Sequence, residues 1–416
     1  MTGESEVATV DVDALLAEIF LTPEGKADPY PRYAAIREHS PVFRSNLGLC
    51  VVGRYEDCQM VLRDSRFGKG EMGAIWEGYG LTEAEWFARF PELERRTTSM
   101  LGLDPPDHTR LRRLVAKAFT PKTVDNLRPG ITGLADELLD AFDGAVDIIA
   151  ELALPLPMNV IGEMLGIPAS ERAALQPHVR ASVKLLELNP PLDQLDAAAD
   201  ANRIIVEHLE ALIAERRAEP TDDLLSELVH VEEHGDQLSH DELITTVMLL
   251  FGAGFETTTN LIGNGLLALL EHPGELRRLR DDRSLMKTAI EELLRWDAPV
   301  QVDGRRVLDD IDLHGTAISA GEEVVTLLGA ANRDPRVFED PDRFDIGRVA
   351  QAPMSFGAGI HYCLGAALAR AEGDIVFDRL LDRFPVIEPA WGEHRPAFRD
   401  SIVLHGLESL PVRVRS

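Results

Sequence analysis

The sequence predicts a mostly helical fold with a small β part, folded as one large domain. Three observations carry this. Apolar residues recur at helical spacing along most of the 416 residues, strand-like alternation is confined to two short regions, and no Gly/Ser-rich linker, low-complexity tract or internal repeat divides the chain.

Taken in chain order, PYPRYAAIREHSPVF (29–43) opens the helical pattern, and VFRSNLGLCVVGRY (42–55) follows as strand, with Asn46 and Gly48 at a turn. TRLRRLVAKAF (109–119), ITGLADELLDAF (131–142) and the run 192–218 again carry apolar residues at helical spacing. The longest such pattern is DELITTVMLLFGAGFETTTNLIGNGLLALLEH (241–272), followed by SLMKTAIEELLRW (284–296). The second strand region is RRVLDDIDLHGTAISAGEEVVTLLG (305–329), alternating and punctuated by glycines. Segments 70–100 and 182–200 are less regular and hold Trp76, Tyr79, Trp86, Phe87, Pro190 and Pro191. They suit mobile lids over a pocket or ordinary surface loops.

Composition excludes several classes. A formal charge of −29 argues against nucleic acid or an anionic membrane as partner, since either needs a basic footprint. The longest apolar stretch, 243–255, is broken by threonines and ends at Glu256, short of the roughly 18–20 residues a membrane span requires. Cys50, Cys58 and Cys363 are odd in number and lack framework spacing, and the acidic N-terminus has no apolar core of signal-peptide length. The expectation is reduced cysteines in the cytoplasm.

One thiol stands in an unusual setting. FGAGIHYCLGAALAR (356–370) sets Cys363 among glycines and then runs into a helix. Gly357 and Gly359 permit positive φ and close approach of a flat ligand, and Gly365 leaves room beside the thiol. Helix-end amides favour the thiolate, and a thiolate held beside a flat cofactor is an axial iron ligand. A second anomaly is AGFETT (253–258), where an acid and two threonines interrupt an apolar helix. Threonine bonding to the carbonyl four residues back would give a plain polar bend. A third is DPPDHTRLRR, which sets His108 and Arg112 on one helix face while Arg110, Arg113 and Lys117 fall on the opposite, basic one.

FGAGIHYCLG matches in full the haem-binding pattern Phe-Gly-x-Gly-x-His-x-Cys-x-Gly, and the chain resembles the cytochrome P450 family from about residue 27 to its end. The resemblance implies a single P450 haem domain over 27–416 with an N-terminal extension over 1–26. It makes Cys363 the proximal ligand of haem b, with Phe356, Gly357 and Gly365 in the haem-binding loop. It assigns His108, Arg112, His361 and Arg305 to the propionates, with the adjacent Arg306 an alternative to Arg305. Ala253 and Gly254 would leave space beside the iron. Glu256 and Thr257 would be the acid–alcohol pair that delivers protons while dioxygen is split. Glu292 and Arg295, completed by Arg343 of PDRF, would form a structural triad.

The implied function is monooxygenation of a hydrophobic small molecule with O2 and two electrons from a ferredoxin and its NAD(P)H-dependent reductase. Three cysteines are one short of the four a cluster needs, so electrons come from separate proteins. The basic face carrying Arg110, Arg113 and Lys117 is the expected ferredoxin contact. Leu249, Ala253, Val300, Val302, Ile402 and Val403 are the expected apolar substrate pocket, with Gln301 and Asp303 available for a polar handle. The alternatives are a peroxide-driven peroxygenase, which tends to lack the acid–alcohol pair, and a non-catalytic haem-based sensor, which needs neither that pair nor an electron donor.

Overall fold

The central helix, His240–Glu271, is the axis about which the other elements pack. At 32 residues it runs about 48 Å. It starts where the sequence supplies a reciprocal cap: Ser239 accepts from the Glu242 N–H while the Glu242 carboxylate accepts from the Ser239 N–H. Pro273 follows its end and opens the next helix, Pro273–Asp281. Its buried residues join a large core shared with the helices Pro121–Asp140, Pro155–Met164, Leu192–Ala218, Met286–Trp296 and Ala366–Arg383. The computed structural model describes residues 10–46, 48–70, 75–91, 99–187, 190–233 and 236–415.

The two strand regions read from the sequence join in one sheet. Its order is Val42–Arg44, Leu49–Val52, Glu323–Leu327, Val302–Val307 and Phe67–Gly68. Glu323–Leu327 runs parallel to Leu49–Val52, with Val324 opposite Cys50, and antiparallel to Val302–Val307, with Val324 opposite Arg305. Because side chains alternate along a strand, Arg305 and Arg306 project from opposite faces. A second sheet of Val386–Pro389, Pro411–Arg415 and Ala145–Asp147 lacks a readable signal, each strand having only three to five residues.

The helix Val12–Leu21 belongs to the core. Asp11 caps it, and Val12, Leu16 and Ile19 pack in a cluster with Tyr33, Val51, Val302 and Ile402. Segments 70–100 and 182–200 are more ordered, among their described residues, than loops would be. Thr82 and Glu85 form a capping box for the helix Glu83–Arg89, and Trp86 and Phe90 are buried with Leu195. The Tyr79 hydroxyl donates to the Pro190 carbonyl at 2.7 Å, and Arg89 grips Asp196 through two nitrogens. The two segments therefore hold each other. The expected irregular stretches at 71–74, 92–98 and 188–189 lie outside the described residues.

The triad behind the cysteine loop differs in one member. Arg295 binds both Glu292 oxygens, at 2.7 and 2.8 Å, and donates to the Asn332 and Pro341 carbonyls. The third arginine is Arg348, whose Nε donates to Glu292 at 3.1 Å. Arg343 offers Arg295 its backbone carbonyl only, and its side chain is 67% exposed. The turn after Phe344 brings Arg348 back onto the same carboxylate, a contact sequence spacing cannot show. No single helix among the described residues is long and apolar enough to cross a membrane.

Candidate active site

Cys363 sits at the mouth of the helix Ala366–Arg383, in a loop closed by its own backbone. The Cys363 N–H donates to the Phe356 carbonyl at 2.9 Å. Gly357 and Gly359 take φ of +67° and +71°, and a Cβ on Gly359 would lie 2.1 Å from the Leu62 carbonyl oxygen. The loop thus turns twice and presses on its neighbour as only glycine permits. Gly365, at φ −84°, is not required by its backbone, but a Cβ there would meet nothing within 4 Å. The thiol is accessible, yet surrounding protein raises its pKa through burial; the Gly365 N–H and the charges of Arg112 and Arg370 oppose that shift. The sulfur is thus accessible while protein packs closely around it.

The central helix is uncovered along one stripe. Leu249 is half-buried, Ala253 exposed and Thr257 half-buried, although residues 250–252, 255, 256 and 258–270 around them are buried. At i, i+4 and i+8 these three share a face. The Thr257 hydroxyl donates to the Ala253 carbonyl at 2.9 Å, which leaves its oxygen free to accept from a donor on the open side. Gly254, beside Ala253, is half-buried and its Cα faces a neighbouring helix. A Cβ on it would lie 2.7 Å from Ile161 Cγ1, so its smallness serves the crossing of Pro155–Met164.

A polar cluster adjoins the cysteine loop. The rings of His108 and His361 stand 4.2 Å apart, and both nitrogens of His108 and Nε2 of His361 are buried without a hydrogen-bond partner. Burial, followed by the nearby Arg305, His108 and Lys69, pushes His361 down to about 3. Arg305 is buried and bonds Asp303 at 2.7 Å, whereas Arg306 projects to the other face and pairs with Glu323 at 3.1 Å. Arg112 donates to the Tyr362 carbonyl, joining the helix Asp107–Val115 to the cysteine loop. Lys69, which sequence reasoning missed, donates to Asp303 at 3.0 Å and to the Gly304 carbonyl at 3.1 Å. Buried donors without acceptors are costly, and cationic ones more so. This cluster is short of anionic acceptors and fits a buried dianion beside the thiol, as a haem with two propionates supplies.

Several expected residues lie elsewhere. Val302 and Ile402 are buried in the cluster that includes Val12 and Leu16, and Val403 packs against it. They pack in the cluster that holds the N-terminal helix. Val300 is half-buried and bridges to Leu404. Gln301 is buried and spends its amide on the Tyr30 hydroxyl and the Ala298 carbonyl, while Asp303 is committed to Lys69 and Arg305. The supposed basic face is largely neutralised, since Arg110 pairs with Glu242 and Arg113 with Asp236. A separate surface cleft of about 520 Å³ runs along the cysteine loop, lined by Gln59, Arg63, Gly359, Ile360, Tyr362 and Arg370. Ile360 and Tyr362 on it are 49% and 40% exposed.

Two buried acids stand on the helices that carry these residues. Glu256 is buried on the central helix and bound by Arg399, with Arg180 Nε at 3.7 Å. Glu372 lies in the helix after Cys363, fully buried, with the Thr258 side chain as its one polar neighbour and no charged partner. Burial pushes it up to about 8, opposed only by the neighbouring Thr258. The one signal for Glu372 in the sequence is an acid at the apolar phase of LGAALARAEGDIVF.

The likeness to known proteins runs the length of this geometry. The sequence model of the family described as Cytochrome P450 matches residues 193–409. Cytochrome P450 107B1 of Saccharopolyspora erythraea is 44% identical over 401 residues, 93% of this chain and 95% of that one. The vitamin D(3) 25-hydroxylase of Pseudonocardia autotrophica is 40% identical, covering 92% and 93%. The structure of the myxobacterial cytochrome P450 CYP267B1 in complex with myristic acid superposes with a TM-score of 0.86 at 39% identity, over 96% of this chain and 99% of that one. With relatives of this identity matched almost end to end, and a cysteine loop closed on itself by glycine turns, the chain belongs to the cytochrome P450 family of haem-thiolate monooxygenases.

Proposed function

We propose that the chain binds haem b through Cys363 and hydroxylates or epoxidises a hydrophobic small molecule, using electrons from a ferredoxin and its NAD(P)H-dependent reductase. The observation that carries the reading is the pairing of an accessible, dehydrated thiol with an uncovered stripe in the middle of an otherwise buried helix. When bound, the haem supplies the iron at which O2 is reduced with two electrons and two protons and one oxygen atom is placed on the substrate.

The chain's own residues supply the rest. Cys363 holds the iron, kept in place by the closed 356–363 turn. His108, His361 and Arg305 meet the propionates, and Arg112 ties its helix to the loop that carries the ligand. Leu249, Ala253 and Val300 offer apolar surface, which excludes water and favours an apolar substrate. The vitamin D hydroxylase and the myristic acid complex among the relatives support that class. Glu256 and Thr257 move protons inward: the acid exchanges with bulk solvent, and the Thr257 oxygen accepts from a water on the open side. The cleft along the cysteine loop, with apolar Ile360 and Tyr362 flanked by Arg63 and Arg370, is the surface we assign to the ferredoxin. Cys50 and Cys58, both unpaired and buried, fit a reducing cytoplasm.

Reduced protein under carbon monoxide tests the ligand. It should show the red-shifted Soret band of thiolate-bound haem, and Cys363→Ala should abolish it. A variant that kept the wild-type band would overturn the assignment.

A further inference from the structure

Glu256 does not stand alone on its helix. With Asn260 and Asn264 it forms a second stripe at i, i+4 and i+8, and every member grips the same C-terminal segment. Arg399 donates through Nη1 to Glu256 Oε1 and through Nη2 to Asn260 Oδ1. One turn further on, Asn264 Nδ2 donates to the His405 carbonyl at 3.0 Å. The segment is a narrow hairpin: the Arg399 N–H donates to the Gly406 carbonyl at 2.8 Å, and Phe398 bridges to Leu407 in antiparallel fashion. Its backbone is pressed to the helix, since a Cβ on Gly406 would lie 2.0 Å from Asn260 Oδ1.

We infer that Arg399 is a positioning residue for Glu256, fixing the acid's carboxylate by a fork shared between Glu256 and Asn260. The inference rests on the reading of Glu256 as the acid that delivers protons. A glutamate side chain has three rotatable bonds, and one ion pair restrains it only loosely. A planar guanidinium anchored one turn away on the same helix removes that freedom. Arg180 does not substitute for it, because its Nε at 3.7 Å from Glu256 Oε1 lies beyond hydrogen-bond reach. The arrangement is energetically expensive, which argues that it is not incidental packing. The Arg399 side chain is only 10% exposed, its Nε and the Glu256 Oε2 have no partner, and partial burial beside Arg180 pushes the guanidinium down to about 10.

The test compares four holoprotein variants under air with a surrogate ferredoxin and reductase, using myristic acid as the probe. It reads peroxide released per NADPH consumed, the solvent deuterium isotope effect on NADPH consumption, and hydrogen exchange across 398–407. Arg399→Gln should slow the proton-dependent step by roughly 10- to 100-fold, the scale of a misplaced catalytic group, with more peroxide and an altered isotope effect. Arg399→Lys should restore part of this. Asn264→Ala, which loosens the hairpin without touching the acid, should raise hydrogen exchange and leave peroxide and isotope effect unchanged. If Arg399→Gln behaves like Asn264→Ala while Glu256→Gln still releases more peroxide, the acid reading survives and the positioning role fails. If Glu256→Gln changes nothing, the acid reading fails first, and Arg399 is only a clamp for the hairpin.

Discussion

Replacing Glu372 by glutamine should flatten the pH dependence of stability in a way that can be worked out in advance. In the folded protein burial lifts this carboxyl to about 8 from an ordinary 4.5. Below the lower value both folded and unfolded chains hold the proton; between the two values only the folded chain does. The folded state then binds more protons, so stability is fully present at low pH and is lost as pH rises through 8. A shift of about 3.5 units at about 1.4 kcal/mol each amounts to about 5 kcal/mol, of which about 3.5 falls between pH 5 and pH 8. A chain of this length has an unfolding entropy of roughly 0.9 kcal/mol per degree, so that interval corresponds to a fall of about 4 °C in Tm. Glutamine has similar shape and does not titrate. Scanning calorimetry of wild-type and Glu372→Gln holoprotein from pH 5 to pH 8 should therefore give a Tm gap that moves by about 4 °C in favour of the variant. Parallel curves would show that Glu372 is ionised or hydrogen-bonded at neutral pH and would refute the argument.

Two further outcomes separate neighbouring arginines. Arg305→Gln should speed haem transfer to apomyoglobin, whereas Arg306→Gln should not, because only Arg305 lies on the face of its strand with Asp303, near the orphaned histidines; equal rates would detach Arg305 from the propionates. Arg348→Met should destabilise the protein by roughly 1–3 kcal/mol in chemical denaturation, since it leaves a buried Glu292 oxygen short of a charged donor. Arg343→Met should stay within about 0.5 kcal/mol, as expected of an exposed side chain, and the reverse order would restore Arg343 to the triad.

What the sequence made legible has a physical pattern. The central helix, the run 192–218 and the cysteine loop were readable because each is encoded locally, by periodicity, a cap or glycines at fixed offsets. The helices Pro155–Met164 and Ala169–Val183 were not, since Pro157 and Pro177 break the pattern within them although the tertiary core holds them helical. Among site residues, only the cysteine loop with His361 and Cys363 is a local motif; His108 and Arg305 come from distant segments and were legible through the family resemblance alone. Gly254, Val302 and Ile402 are the harder case: a small or apolar residue looks the same in sequence whether it fronts a cavity or a neighbouring helix, and here each also packs against other elements. Lys69, Arg348 and Arg399 depend on contacts across large sequence separations, which no local pattern records.

The central helix does its work by keeping two stripes apart. Leu249, Ala253 and Thr257 follow one line along it, and Glu256, Asn260 and Asn264 follow another. Adjacent residues in a helix point about 100° apart, so Glu256 and Thr257 cannot address one point in space directly. Thr257 faces the open space with an oxygen able to accept, while Glu256 faces the hairpin and is anchored there. On the proposed reading of Glu256 as the acid that delivers protons, a proton passing to the space beside Ala253 must turn that corner through an intermediary, and a water bonded to the Thr257 oxygen is the group that fits. Polar residues that look like a single motif in the sequence thus face two ways, Thr257 toward the open side and Glu256 toward an anchor on a different part of the chain.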